Sequence, residues 1–234
     1  MKGHAPDVLQ PCDSLRTIDS LYAPDERNEY FSRFDHETAS FCPISALEHI
    51  ADISLFVLSA DVPLPIRIHF ETAKNLYAYA WFVYRFYPVA EQQALTSLEF
   101  ALRERLIEEA RRSLSAKKIP EGLGGWLKEA LRQGAISNDR FSWQEARAWE
   151  RARQRAELQQ IEEMQRLGHT EIRIDTTNVV PLPEDYEVDW IAIFIKTLPT
   201  IRNRYAHGSD NLHDTVSRTF EIVSELINQL FCSA

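Results

Sequence analysis

The chain has 234 residues, 44% hydrophobic and 26% charged, which is an ordinary globular balance with enough length to bury a core. Its formal net charge of −9 argues against a protein that coats nucleic acid broadly, because neutralised phosphates supply most of such affinity. A small basic pocket remains compatible with this charge, whereas broad DNA binding and an acidic membrane surface are not expected.

Cysteine spacing and the apolar segments predict a cytoplasmic protein. The three cysteines are widely separated and include no C-x-x-C pair, which predicts neither a disulfide framework nor a zinc site. Residues 1–7 lack the apolar core of a signal peptide. The longest uncharged apolar stretch, residues 75–84, is too short to span a bilayer.

The predicted elements start with a polar segment over residues 1–43, which we interpret as an arm or a loosely packed lead-in. It contains four prolines and no sustained period, and we expect at most one short helix around residues 26–34. Residues 44–60 place apolar side chains at helical spacing and predict a buried helix, with a strand as the alternative for their second half. The prolines within residues 61–65 end this element.

Two long helices are predicted next. Residues 66–87 carry aromatic and apolar side chains at spacings of three and four, which is typical of a helix with one buried face. Pro88 either kinks this helix or stands in the first turn of the following one. The following helix extends to about residue 114, with one apolar and one charged face.

Residues 116–184 are predicted to form a charged insertion. Its first part contains a glycine-rich loop at residues 120–125 and a short helix over 126–133 that Gly134 ends. Its last part, residues 168–184, is predicted as a connector that could hold a short strand.

A charged helix over residues 143–167 lies in the middle of this insertion. Ser142, with Glu145 three residues later, has the pattern of an N-cap and its reciprocal partner. The apolar stripe of the helix is thin, so the helix either projects as an arm or pairs with a second copy of the chain.

The last two predicted helices carry the residues with the most distinctive chemistry. The first spans about residues 186–207 with Pro199 inside it, and the second spans about 211–231 and is amphipathic. The end of the first helix reads Arg202-Asn203-Arg204-Tyr205-Ala206-His207-Gly208, in which Gly208 has the position of a residue that ends a helix.

Arg202, Asn203 and His207 bring a fixed cation, an amide and an imidazole to one end of a helix. Asn203 and His207 are i,i+4 neighbours, and the long side chain of Arg202 can reach the same surface. Arginine binds phosphate oxygens bidentately and histidine transfers protons near neutral pH, which is a minimal set for cutting RNA without a metal. The structural alternative is that these side chains only complement the helix dipole and cap backbone groups.

The pattern R-N-x-x-x-H from Arg202 to His207 resembles the signature of the HEPN (higher eukaryote and prokaryote nucleotide-binding) superfamily. The resemblance includes the apolar helix before the pattern and the amphipathic helix after it, and residues 94–103 resemble the helix that packs against it. Overall it covers roughly residues 70–115 and 185–231. It implies an all-α, HEPN-like helical bundle in which the charged helix is an insertion, and a single domain over residues 44–234.

The resemblance also implies an activity. It is that of a metal-independent endoribonuclease without a cofactor, in which the 2′-OH of RNA attacks and leaves a cyclic phosphate and a 5′-OH. Arg202 would stabilise the phosphate and His207 would act as general acid or base, while Asn203 would orient His207 or bind a phosphate oxygen. Two motifs would face each other in a homodimer, in a toxin or defence setting that includes an antitoxin or other regulatory protein. The alternative is a non-catalytic HEPN-like module that binds nucleotide, RNA or a protein partner.

Two further residues are candidates for substrate binding. Glu99 lies on the helix expected to face the motif, where it either contacts Arg202 or is simply solvated or ion-paired. Arg204 is either an exposed arginine or a residue that steers the substrate. Tyr205 is interpreted as a packing residue and His213 as solvent-exposed.

No metal site is predicted. The acidic residues between positions 184 and 189 are better explained as a solvated first turn of a helix than as convergent ligands of a cation.

Overall fold

The described part of the chain is mostly α-helical, which confirms the predicted all-α class, with a small β-hairpin in addition. The structure is a computed structural model that describes residues 9–35, 37–113, 119–206, 213 and 215–232, without the side chains of residues 108–113 and 206. The helices are α1 (Ala46–Ser54), α2 (Leu64–Tyr79), α3 (Phe86–Ser113), α4 (Gly122–Arg132), α5 (Gln144–Arg166), α6 (Pro183–Tyr186), α7 (Trp190–Ala206) and α8 (Ser217–Phe231). Strands β1 (Ser32–Asp35) and β2 (Ser40–Pro43) pair in antiparallel fashion.

Helix α3 is the centre of the core and packs against α2, α4, α7 and α8. Helix α2 buries one face against it, because Ile66, Phe70, Ala73 and Tyr77 recur at spacings of four and three. The facing side of α3 alternates alanines with leucines, and each fully buried leucine contributes roughly 1.5–3 kcal/mol of transfer free energy. This packing fixes the faces of α3 that α7 and α8 can reach.

The predicted helix over residues 66–87 is too long. Helix α2 ends at Tyr79, a turn follows, and α3 begins at Phe86. Pro88 therefore lies in the first turn of α3, where its missing N–H group costs no hydrogen bond. The spacing of apolar residues continues through this turn, so Pro88 indicated that a new helix begins but the spacing did not show that α2 had already ended at Tyr79.

Residues of the polar lead-in form hydrogen bonds with backbone groups of the turn between α2 and α3. The side chain of Asn28 donates to the carbonyl oxygens of Ala80 (3.2 Å) and Trp81 (2.7 Å), and the carboxylate of Asp25 accepts from the backbone N–H of Tyr84 (3.1 Å). Asp25 and Asn28 are 1% and 2% exposed. This part of the lead-in is therefore firmly packed, and the interpretation as a loose arm is wrong for it.

The short helix expected around residues 26–34 is only partly present. A 3₁₀ helix covers Glu26–Tyr30, and strand β1 of the hairpin begins two residues later at Ser32. A helix predicted within residues 44–60 is present as α1, and its second half does not become a strand. The expectation that this helix is buried is wrong, because within α1 only His49 and Ile53 are buried, while Leu47 and Ile50 are 78% and 47% exposed.

Of the segment 120–125 that was predicted as a loop, residues 122–125 form the first turn of α4. A Cβ atom added to Gly124 would lie 3.1 Å from Cγ of Pro199 in α7. The glycine thus permits a close approach of two helices, and the expectation of a loop was wrong because composition alone cannot distinguish this use of glycine from a turn.

The capping prediction at Ser142 is also wrong. Helix α5 begins at Gln144, and the hydroxyl of Ser142 instead donates to the carboxylate of Glu225 in α8. Helix α5 is anchored further along by an ion pair of 2.7 Å between Arg155 and Asp185 of α6. The described residues 171–174 form no strand.

The last helices start later than expected. Helix α7 begins at Trp190, after the separate short α6, and α8 begins at Ser217. His207 and Gly208, together with residues 211, 212 and 214, lie outside the described residues. Among the helices that are described, none combines the length and the apolar character that crossing a bilayer requires.

Candidate functional site

The last turn of α7 carries the predicted site, and the packing of α7 determines where this turn lies. Ile191, Phe194 and Leu198 are buried at spacings of three and four. Pro199 removes the N–H group that would bond to the carbonyl of Ile195, and this carbonyl faces the glycine-rich first turn of α4. Close packing of α4 against the middle of α7 leaves residues 201–206 at the edge of the bundle.

Arg202 lies between two polar side chains. Its Nη2 atom is 3.5 Å from Oε2 of Glu99 in α3, and its Nη1 atom donates to Oδ1 of Asn203 at 3.3 Å. The side chain of Arg202 is 35% exposed and that of Glu99 is 15% exposed. Because a guanidinium carries five N–H donors, most of them remain available to an anion at this surface.

The contact between Glu99 and Arg202 is an ion pair rather than a hydrogen bond. Oε2 of Glu99 is buried and forms no hydrogen bond to any described residue. Glu99 was expected either to contact Arg202 or to be solvated or ion-paired elsewhere. In the structure it contacts Arg202, and that contact is an ion pair. Asn203 and Arg204 are exposed, and the distance from Arg202 to His207 lies outside the described residues.

A second carboxylate of α3 holds Tyr205. The hydroxyl of Tyr205 donates to Oε2 of Glu91 at 2.8 Å, and the hydroxyl of Thr219 in α8 donates to Oε1 at 2.5 Å. Nε2 of His213 forms a short hydrogen bond with the hydroxyl of Tyr205 and lies 3.6 Å from Oε2 of Glu91. Burial, together with the hydrogen bond to Glu91, raises the pKa of Tyr205, so this residue remains a neutral donor.

Sequence reasoning missed Glu91 and misplaced His213. Glu91 is 3% exposed, and the side chain of His213 is 30% exposed rather than open to solvent as expected. A signal was present for Glu91, because an acid four residues before Leu95 stands on the buried stripe of α3 and needs a partner. No comparable signal existed for His213, whose partners come from two other helices.

The cluster forms one end of a pocket of about 440 Å³ between α3, α7 and α8. Its apolar wall includes Phe194, Leu198 and Ile222, and its polar end includes Glu91, Tyr205 and His213. Arg204 and Arg218 also line the pocket, and the guanidinium of Arg218 pairs with Glu221 and lies over the ring of Trp143. The pocket thus combines an apolar wall, the buried carboxylate of Glu91 and the exposed Arg204, which lies in the same last turn of α7 as Arg202.

The acidic run before α7 has structural partners. Asp189 accepts from the backbone N–H of Ala192 at 2.9 Å and from the side chain of Asn138 at 3.0 Å. Hydrogen bonds from Asn138 and from that backbone N–H keep the pKa of Asp189 below its ordinary value. Asp185 is 5% exposed and pairs with Arg155, so it is not solvated as expected. Across the described ranges, no three histidine, cysteine, aspartate or glutamate side chains are grouped to hold a metal ion.

Comparison with known proteins does not identify a family for this chain. No protein-family model, curated protein or solved structure in the comparison matches the chain. The likeness to HEPN domains therefore depends on Arg202, Asn203 and His207 and on the helices around them.

Proposed function

We propose that the chain is a metal-independent endoribonuclease whose reacting groups lie on the last turn of α7 and just beyond it. The observation that carries the proposal is the partly exposed guanidinium of Arg202, which Glu99 and Asn203 hold in place at 3.5 Å and 3.3 Å. A cation that is oriented in advance and open to solvent is suited to a phosphodiester. A guanidinium buried on all sides would have favoured a purely structural role.

The proposed reaction follows from the groups available. His207 takes the proton of the ribose 2′-OH as this oxygen attacks phosphorus, and Arg202 binds the non-bridging oxygens as negative charge develops on them. The bond from phosphorus to the 5′-oxygen then breaks, and a general acid protonates this oxygen. The products are a 2′,3′-cyclic phosphate and a 5′-OH, and no water or metal ion takes part in this step.

The wider setting belongs to the same proposal and depends on the family resemblance. A second copy of the chain would place a second His207 opposite the first and supply both acid and base. Cytoplasmic RNA is the proposed substrate, in a toxin or defence setting with a regulatory protein as a further partner. A non-catalytic module that binds nucleotide, RNA or protein is the alternative.

The first test compares two pairs of variants in RNA cleavage with and without a chelator, followed by analysis of the product ends. We expect Arg202→Ala and His207→Ala each to lower the cleavage rate by roughly 100-fold or more, because each removes charge stabilisation or proton transfer. Arg173→Ala and His169→Ala are matched controls at exposed positions of the connector and should retain the wild-type rate. The cyclic phosphate should form whether or not the chelator is present.

Circular dichroism and thermal unfolding of each variant separate catalysis from folding. If the wild type cuts no RNA, the binding-module alternative holds. If Arg202→Ala and His207→Ala fail to fold, the motif is structural and the proposal is wrong.

A further inference from the structure

We infer that the pocket between α3, α7 and α8 is a nucleobase subsite that selects guanine in single-stranded RNA. The inference rests on the proposed function, because it gives a substrate preference to the same end of α7. Its position carries the first part of the argument. Arg204 and Tyr205 line the pocket, and Tyr205 lies only about 4.5 Å along the helix axis from Arg202. A nucleotide with its phosphate at Arg202 therefore has its base within reach of this pocket.

The size and the wall of the pocket suit one base. A volume of about 440 Å³ lies within the range of small-molecule sites but leaves no room for a helical duplex. Phe194, Leu198 and Ile222 are each less than a tenth exposed, and their exposed parts, together with the half-buried Ile201, provide an apolar surface against which a base can lie. Specific recognition of RNA generally uses unstacked bases whose edges are free to form hydrogen bonds, which agrees with a single-stranded substrate.

The polar end of the pocket favours guanine. A carboxylate only accepts hydrogen bonds and has room for about two on each oxygen. Oε1 of Glu91 accepts from Thr219 and Oε2 from Tyr205, so each oxygen retains capacity for one more donor. Guanine presents two adjacent donors, N1–H and the N2 amino group, whereas adenine and uracil each place an acceptor beside a single donor position.

His213 provides a second polar atom for the base. Nδ1 of His213 is buried and forms no hydrogen bond with the part of the chain that the structure describes. Since Nε2 is already bonded to Tyr205, Nδ1 is the atom left for an acceptor or donor on the edge of the base. Arg204 is exposed and lines the pocket, so it provides positive charge for a phosphate of the same nucleotide, whereas the guanidinium of Arg218 is already paired with Glu221.

The test is calorimetric titration of the full chain with the four nucleoside 5′-monophosphates, which needs no cleavage. We expect GMP to bind at least about tenfold more tightly than AMP, CMP or UMP, as a bidentate contact with the edge of a base discriminates. Glu91→Gln should reduce this preference to less than about threefold, because the amide places a donor against the donors of guanine. Glu104→Gln, at an exposed position of the same helix, is the matched control and should leave the preference unchanged.

A second variant keeps the test decisive if Glu91→Gln does not fold. Arg204→Ala should weaken GMP several-fold and leave guanosine, which has no phosphate, unaffected. Equal binding of all four nucleotides, or no binding up to millimolar concentration, would overturn the inference. If RNA is cut without preference for guanine at the cleavage site and GMP does not bind, the subsite is wrong and the proposed function stands. If GMP binds selectively but no RNA is cut, the proposed function fails and the subsite stands.

Discussion

At the residue scale, two carboxylates of α3 hold the last turn of α7. Glu99 contacts Arg202 and Glu91 contacts Tyr205, so the chain directions of α3 and α7 run opposite to each other at this point. The two carboxylates serve different purposes. Glu99 leaves its arginine partly exposed, whereas Glu91 is buried and lines a pocket. Single substitutions at this scale can therefore separate the proposed phosphate binding from the proposed base binding.

Asp13 provides a prediction for the dependence of stability on pH. It accepts hydrogen bonds from Arg85 (2.7 and 2.9 Å) and from Arg27 (2.9 Å). The hydrogen bonds from Arg85 lower its pKa most, burial opposes them, and the hydrogen bond and positive charge of Arg27 lower it further, to about 2. Because the folded pKa lies below the unfolded value, the stabilisation is complete above about pH 4 and is lost as the pH falls towards 2.

We therefore expect Asp13→Asn to lower the free energy of unfolding at pH 7 by about 1–2 kcal/mol, and by less at pH 3. Urea denaturation at both pH values measures the difference. Asp19→Asn, at an exposed position nearby, is the control and should have little effect at either pH. A loss for Asp13→Asn that is equally large at pH 3 would contradict the assigned ion pairs.

At the element scale, the contact between α4 and α7 determines where the site lies. Gly124 meets Pro199, and this close approach supports the middle of α7 while its last turn extends to the edge of the bundle. A Cβ atom added to the adjacent Gly125 would have Pro120 as its nearest neighbour, at an ordinary contact distance of 3.5 Å. Two neighbouring glycines of one helix thus have different structural roles.

This difference predicts that the same substitution stabilises the protein at one of the two positions but not at the other. Gly125→Ala should raise the free energy of unfolding by about 0.5–1 kcal/mol, because alanine loses less backbone entropy in a helix. Gly124→Ala should show no such gain, since its Cβ would lie 3.1 Å from the rigid ring of Pro199. Chemical denaturation of the two variants measures both effects. Equal stabilisation by both would show that α4 and α7 can separate slightly at no cost.

At the scale of the whole molecule, the polar lead-in is part of the packed structure. Asn28 and Asp25 complete the backbone hydrogen bonds of the turn between α2 and α3, far away in the sequence. The position of α3, and with it the positions of Glu91 and Glu99, thus depends on residues that looked like an arm. Loss of these contacts should therefore shift α3 and change the positions of Glu91 and Glu99 at the site.

Asn28→Ala tests this dependence. It would leave the buried carbonyl of Ala80 without the donor that Asn28 provides, which should lower the free energy of unfolding by about 1–3 kcal/mol. Asn178→Ala in the exposed connector is the control and should change it by less than about 0.5 kcal/mol. Thermal and urea unfolding give the measurement. No change for Asn28→Ala would mean that the lead-in packs without stabilising the fold.

Periodicity determined much of the fold before the structure was considered. The spacing of apolar residues predicted the helical class, the buried faces of α2 and α3, and an apolar helix that leads to Arg202 and Asn203. It failed where a partner distant in the sequence decides the outcome. Asn28 donates to a backbone carbonyl of the turn after α2, where the spacing of apolar residues would continue the helix. Ser142 donates to Glu225 and does not cap α5.

The sequence by itself placed an arginine and an asparagine at the end of an apolar helix, because spacing along a helix fixes which side chains share a face. Only the tertiary structure decided which groups oppose them. Glu91, Glu99 and His213 reach the last turn of α7 from other parts of the chain, and the pocket exists only where α3, α7 and α8 meet. Local spacing carries no information about the neighbour across an interface, since that neighbour is chosen by how the buried faces of all the helices pack together.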